Sequence, residues 1–172
     1  HSPIRAGMPQ AVEAYVNGEN FESIDRVKRE IVELYKADFK KIDPSGRTSA
    51  IFEAIPAQLA AKKSQFRISA ATKKRMTAKD EERLFDVIDS KAVLACYNTT
   101  EVSPVLAQGK DFGSFKLYMA DTGLFVTMMF NSEGEANADL YAKLLGDSLP
   151  ANLGYLYENA MAQIIASAGR SL

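Results

Sequence analysis

The densest chemistry in this sequence is cationic. Lys62, Lys63, Arg67, Lys73, Lys74, Arg75 and Lys79 follow one another with no acid between them. Lysines and arginines grouped in this way suit phosphate oxygens. Each neutralised phosphate releases counterions, worth about −0.9 in the log–log salt slope of duplex binding. The plainer reading is a solvated charge run on a helix connection. Residues 78–91 weigh against phosphate, because Asp80, Glu81, Glu82, Asp86 and Asp89 repel a nucleic-acid backbone unless they face away from it.

Catalytic groups are scarce. His1 is the only histidine, and with Ser2 it reads as a cloning remnant or an internal start. Ser–His and Cys–His catalysis are thereby excluded, as are zinc sites built from His and Cys. Cys96, the only cysteine, sits in the apolar run "AVLACY" and reads as a core thiol rather than a reactive one. It has no partner for a disulfide within the chain, which fits a reducing cytoplasm. The stretch "GKDFGSFK" holds glycines and a lysine but not the G-x-x-x-x-G-K-[ST] spacing, so P-loop binding of ATP by this chain is excluded. Asp121, in "FKLYMADTGLF", is placed as a helix N-cap rather than a catalytic acid, with Gly123 allowing close packing.

The elements that must hold these residues are those of an α+β fold, mainly helical. The 172 residues, 47% hydrophobic and 25% charged, suffice for one good core or two small ones. A net charge of −1 draws the chain to neither nucleic acid nor membrane, so such binding needs a local patch. No apolar run reaches the length of a membrane span.

Residues 8–18 predict a short helix and residues 21–42 a long one, with Phe21, Ile24, Val27, Ile31, Leu34, Tyr35 and Ile42 on its buried face. Glu22–Arg26 and Asp25–Arg29 are acid-before-base pairs worth about 0.3 kcal/mol each. "DPSG" ends that helix. A second helical unit over 47–62 buries Ile51, Ile55 and Leu59 and must bend or end at Pro56. The stretch 63–76 has little periodicity and several possible breaks. Residues 77–91 predict a helix opened by a Thr77–Asp80 variant of the capping box, with Leu84, Phe85 and Ile88 buried.

Strands follow at 92–100, 103–108 and 115–119, with "GKDFGS" as the turn before the last. Then come a helix at 122–130 carrying Leu124, Phe125, Met128 and Met129, a polar break, and a short helix at 139–146. A longer helix runs from Asn152 to a Gly169 stop, with Leu156, Ala160, Ile164 and Ile165 as its buried face. Tyr155 and Tyr157 mark either a contact surface or a cover over that helix's own core. Three helices followed by a β-hairpin is the order of a winged helix, and another small α+β module is the alternative.

Four phrases in this chain line up with one family. "GMPQAV" at 7–12, "IPAQLA" at 55–60, "FKLYMADTGLF" at 115–125 and "GYLYENAMAQ" at 154–163 resemble AAA-type prokaryotic ATPases that carry a C-terminal domain of unknown function. The resemblance implies that the chain is the middle of a longer protein. Residues 1–44 would be a lid- or linker-like helical segment, 45–130 a winged helix, and 131–172 the start of a nuclease-like domain. ATP and Mg would belong to an ATPase module upstream. Glu158 would match the first acid of the nuclease-like fold, but the Asp and the Glu-x-Lys that should accompany it are not in this sequence. The fragment is therefore expected to be no enzyme. Its expected partners are DNA or, alternatively, its own ATPase and C-terminal modules, in the cytoplasm and away from membranes.

Overall fold

A computed structural model describes residues 21–99, 110–130 and 154–170. The architecture is α+β and mainly helical. Seven helices and one two-stranded antiparallel sheet are described: α1 (Phe21–Ile42), α2 (Arg47–Glu53), α3 (Ile55–Ala60), α4 (Ile68–Thr72), α5 (Asp80–Asp89), β1 (Val93–Thr99), β2 (Lys110–Met119), α6 (Thr122–Phe130) and α7 (Gly154–Ser167). The expected helices at 8–18 and 139–146, the strand at 103–108 and the cap at Asn152 lie outside the described residues.

Helix α1 has the predicted bounds, and its Asp25–Arg29 pair closes at 2.7 Å. Its buried seam differs from the expected one. Ile31, Val32 and Phe39 are buried, whereas Leu34 and Ile42 are exposed. The expected stripe drifted around the helix, while the real seam keeps to the side that faces α2 and α6. After the turn at Gly46, which takes a left-handed φ of 73°, the unit over 47–60 breaks at Ala54. Pro56 then occupies the first turn of α3, where its missing N–H costs nothing. Ile51, Phe52 and Ile55 are fully buried, and the Phe39 and Phe52 rings meet at 5.2 Å.

Helix α4 is the element that periodicity missed, because five residues are too few to show a period. Just before it, the Phe66 N–H donates to the Phe115 carbonyl at 2.7 Å, so the chain touches the edge of β2 for one residue. Helix α5 buries Leu84 and Val87. Phe85, expected inside, is 48% exposed.

The hairpin pairs Val93 with Met119, Ala95 with Leu117 and Tyr97 with Phe115 on its inner side. A register shift follows between Tyr97 and Asn98, and the pairing resumes at Asp111 and Lys110. The expected "GKDFGS" turn is therefore largely strand, since β2 begins at Lys110. The shift inserts the extra residues as an irregularity within the ladder.

Helix α6 has the predicted bounds and cap, with the Leu124 N–H donating to Asp121 Oδ1 at 3.0 Å. A Cβ on Gly123 would lie 2.7 Å from Lys28 Nζ and 2.8 Å from Asp121 Oδ1, so only glycine fits without displacement. Helix α7 packs on both strands and on α6. It buries Leu156, Asn159 and Ala162, and the Tyr155 ring lies tilted against Phe125 with centroids 5.9 Å apart. Ile164, expected inside, faces out with Tyr157 and Met161. One apolar cluster runs from Ile31 on α1 through the hairpin to Ala162 on α7.

Candidate functional site

The cationic segment is laid out over two connections, one on each side of α4. Lys62 and Lys63 follow α3, Arg67 precedes α4, Lys73 caps α4, Lys74 and Arg75 lie in the connection after it, and Lys79 precedes α5. All seven side chains are exposed, and none forms an ion pair among the described residues. The structure groups Lys73, Lys74, Arg75 and Lys79 between α4 and α5. Lys63 lies elsewhere, sharing a cleft with Lys116, Gln58, Gln65, Phe66 and Leu117. That cleft is small, with room for about one water.

The backbone beneath these cations is pinned by Gln58 and Arg47, which the sequence reading did not single out, and by Asp80, which it did. The Gln58 amide brackets Arg67, accepting from its N–H at 2.8 Å and donating to its carbonyl at 3.0 Å. Arg47 donates to the Arg75 carbonyl at 3.2 Å. Asp80 reaches back to accept from the Thr77 N–H at 2.7 Å, the acid half of the expected capping box, but α5 opens only at Asp80 with Lys79, not Thr77, as its N-cap.

Asp80 is the centre of a buried charge network. It also accepts from Arg47 Nε at 2.8 Å and from Arg83 Nη1 at 2.9 Å, and it pairs with Arg47 Nη2. Arg83 bridges onward to Asp43 at 2.9 Å. Asp43 in turn accepts from the Thr48 N–H at 3.1 Å and the Ser45 hydroxyl at 2.6 Å. The Arg47 hydrogen bond, opposed by burial and helped by Thr77 and Arg83, holds the Asp80 carboxyl well below the usual carboxylate range. Burial pushes Asp43 up, but Ser45, Thr48 and Arg83 outweigh it and leave that carboxyl low as well. Every oxygen is taken by protein donors from α1's end, α2, α5 and the connection before α5. The network ties these elements together and has no oxygen left for a substrate.

A second network joins two of the phrases singled out above. Glu158 on α7 accepts through Oε1 from Lys116 Nζ at 2.6 Å and from the Tyr118 hydroxyl at 2.8 Å. Burial pushes Glu158 up, yet these two donors bring its carboxyl below the usual value, and the same contact with burial raises the Tyr118 phenol. Asn159 accepts from the Met119 N–H at 2.8 Å and donates to the Met119 carbonyl at 3.1 Å, standing in for a missing neighbour strand. Gln163 accepts from the Thr122 N–H at 2.9 Å and hydroxyl at 2.7 Å. Glu158, Asn159 and Gln163 thus clip α7 to the junction of β2 and α6. An asparagine mid-helix was the signal for this, since such a residue favours backbone hydrogen bonds over helix interiors.

The described residues contain no group of three His, Cys, Asp or Glu side chains that could hold a metal ion, and no helix long and apolar enough to cross a membrane. Cys96 is half-buried opposite Lys116 in the hairpin.

The surface of α5 completes the picture. Glu81, Glu82, Phe85 and Asp89 are exposed and Asp86 is half-buried, opposite the buried Leu84 and Val87. At 100° per residue these five fall within one arc of about 140°.

These features define a small α+β module whose polar networks brace its own elements and whose α5 and preceding connection carry opposite signs of charge. A model of the family described as domain of unknown function DUF8612 matches residues 3–135, most of the chain, and the chain belongs to that family. No curated protein and no solved structure matches it.

Proposed function

We propose that this chain is a non-catalytic, winged-helix-type interaction module that docks protein. The order α2–α3, edge contact at Phe66, α4, α5 and hairpin supports the winged-helix reading, with α5 in the place of the recognition helix. One observation carries the choice of protein over nucleic acid. The outer arc of α5 presents Glu81, Glu82, Asp86 and Asp89 around Phe85, a face that repels phosphate and suits a partner with cations and an apolar contact. The resemblance to AAA-type ATPases supplies a first partner to try, the ATPase module of a longer parent, which would bring its own ATP and Mg. The 172-residue chain is expected to retain that module when immobilised. Failure to retain it in low and moderate salt alike sinks this assignment of partner.

The seven exposed cations on pinned backbone favour duplex DNA as a second reading. It requires retention on duplex at low salt that falls steeply as salt rises. No retention at low salt, or retention insensitive to salt, removes it.

A further inference from the structure

Two apolar side chains interrupt the charged surface around α5, and each stands within charge of a single sign. Phe85, 48% exposed, lies among Glu81, Glu82, Asp86 and Asp89. Met76, also 48% exposed, lies in the connection that carries Lys73, Lys74, Arg75 and Lys79. None of these eight charged side chains forms an ion pair among the described residues. The two patches are contiguous in the chain, since Lys79 precedes Asp80.

We infer that this double patch is a self-complementary interface, pairing with the same patch on a second copy of this chain across a two-fold axis. The inference rests on the docking reading above and names its partner. An isologous contact needs one surface that complements itself. Here a two-fold axis between the patches lays the carboxylate arc of one copy on the cationic connection of the other, and the reverse on the far side of the axis. Phe85 then meets the partner copy's thioether, a favourable sulfur–aromatic contact at the centre of a charged rim. The connection is already fixed by the bonds to the Arg75 carbonyl and the Thr77 N–H, so docking orders little backbone. A duplex meets the cations only with the carboxylate arc beside it. A second copy uses both signs.

The test is the mass of the 172-residue chain in solution by sedimentation. Two-copy mass is expected at high protein concentration in about 0.1 M salt, with association at least about tenfold weaker in about 1 M salt, where the screening length falls from about 10 to about 3 Å. Glu81→Lys with Glu82→Lys turns the double patch net cationic, with Asp86 and Asp89 its remaining acids, and Lys74→Glu with Arg75→Glu turns it net anionic, with Lys73 and Lys79 its remaining cations. Each double variant alone is expected to stay at one-copy mass. An equimolar mixture of the two is expected to recover two-copy mass, which also shows that both fold. Phe85→Ser is expected to weaken association at both salt levels.

One-copy mass for the unaltered chain in low salt at the highest concentration overturns the proposal, as does a mixture that fails to associate. So does self-association of either double variant alone. Duplex retention without self-association assigns the cationic patch to DNA and overturns it too. If self-pairing fails while the ATPase module is still retained, docking stands and only this partner is lost. If both fail, the docking reading falls with it.

Discussion

Asn159 uses both ends of its amide on the backbone of Met119 and has a further donor contact with the Thr122 hydroxyl. It is fully buried, so nothing in solvent can take over these bonds. Replacing it with leucine leaves a buried N–H and a buried carbonyl without partners, at about 1–3 kcal/mol for each group. Asn159→Leu is therefore expected to lower the urea midpoint by an amount equivalent to about 3 kcal/mol with the m-value unchanged. Thr127 is the converse case. Its hydroxyl is buried on α6 and has no partner, so Thr127→Val removes a desolvated group and keeps the shape. That variant is expected to gain about 1 kcal/mol in the same assay. At this scale the sequence revealed residues with local partners. Asp121 was legible because its cap lies three residues away. Asn159, Gln163 and Gln58 were not, because their partners are chosen by tertiary packing across 9 to 41 positions. Phe85 was misplaced for a related reason. Hydrophobicity puts a phenylalanine inside, and only the docking of α5 through Leu84 and Val87 shows that it stands outside.

The elements are joined by the Asp43–Arg83–Asp80–Arg47 network, and its chemistry sets an expected pH dependence. Both carboxyls titrate lower in the folded chain than when unfolded. Their stabilisation is therefore complete above the unfolded carboxylate range near about 4, and it is lost as pH falls toward the folded values. The urea midpoint is expected to decline steadily below about pH 4, and Asp80→Asn is expected to flatten that decline. At neutral pH the same variant leaves Arg47 and Arg83 largely buried without their central anion, a cost of about 3 kcal/mol or more. A midpoint that does not move with pH in this window contradicts the assignment.

The helix ends give a second element-level expectation. Lys62, Lys73 and Lys91 have φ values of 52°, 52° and 63° just past α3, α4 and α5, where glycine is the easier residue. Lys73→Gly is expected to raise stability by about 0.5–1 kcal/mol, because it relieves the Cβ strain of the left-handed conformation. Helix bounds at α1 and α6 were legible from period and cap. Helix α4 was not, because five residues held by Phe66, Ile68 and Thr72 leave no periodic trace. The start of β2 was hidden as well, because "GKDFGS" has turn composition and becomes strand only through pairing with β1.

For the whole molecule, the question is whether α7 is an appendage or part of the fold. The family match covers residues 3–135 and stops short of it. Its contacts argue for the fold: Leu156 and Ala162 belong to the same apolar cluster as Ile31 and Phe52. Tyr155 covers Phe125, and the three polar side chains of α7 satisfy Met119 and Thr122. A buried leucine or aromatic side chain contributes about 1.5–3 kcal/mol, and each backbone group left bare costs about 1–3 kcal/mol. Together these approach the 5–15 kcal/mol that stabilises a whole domain. A chain ending at residue 153 is thus expected to lose cooperative urea unfolding and to bind a hydrophobic dye, with helical signal from α1 and α2 partly retained. A sharp transition at the midpoint of the 172-residue chain instead makes α7 a passenger on a fold that is complete without it.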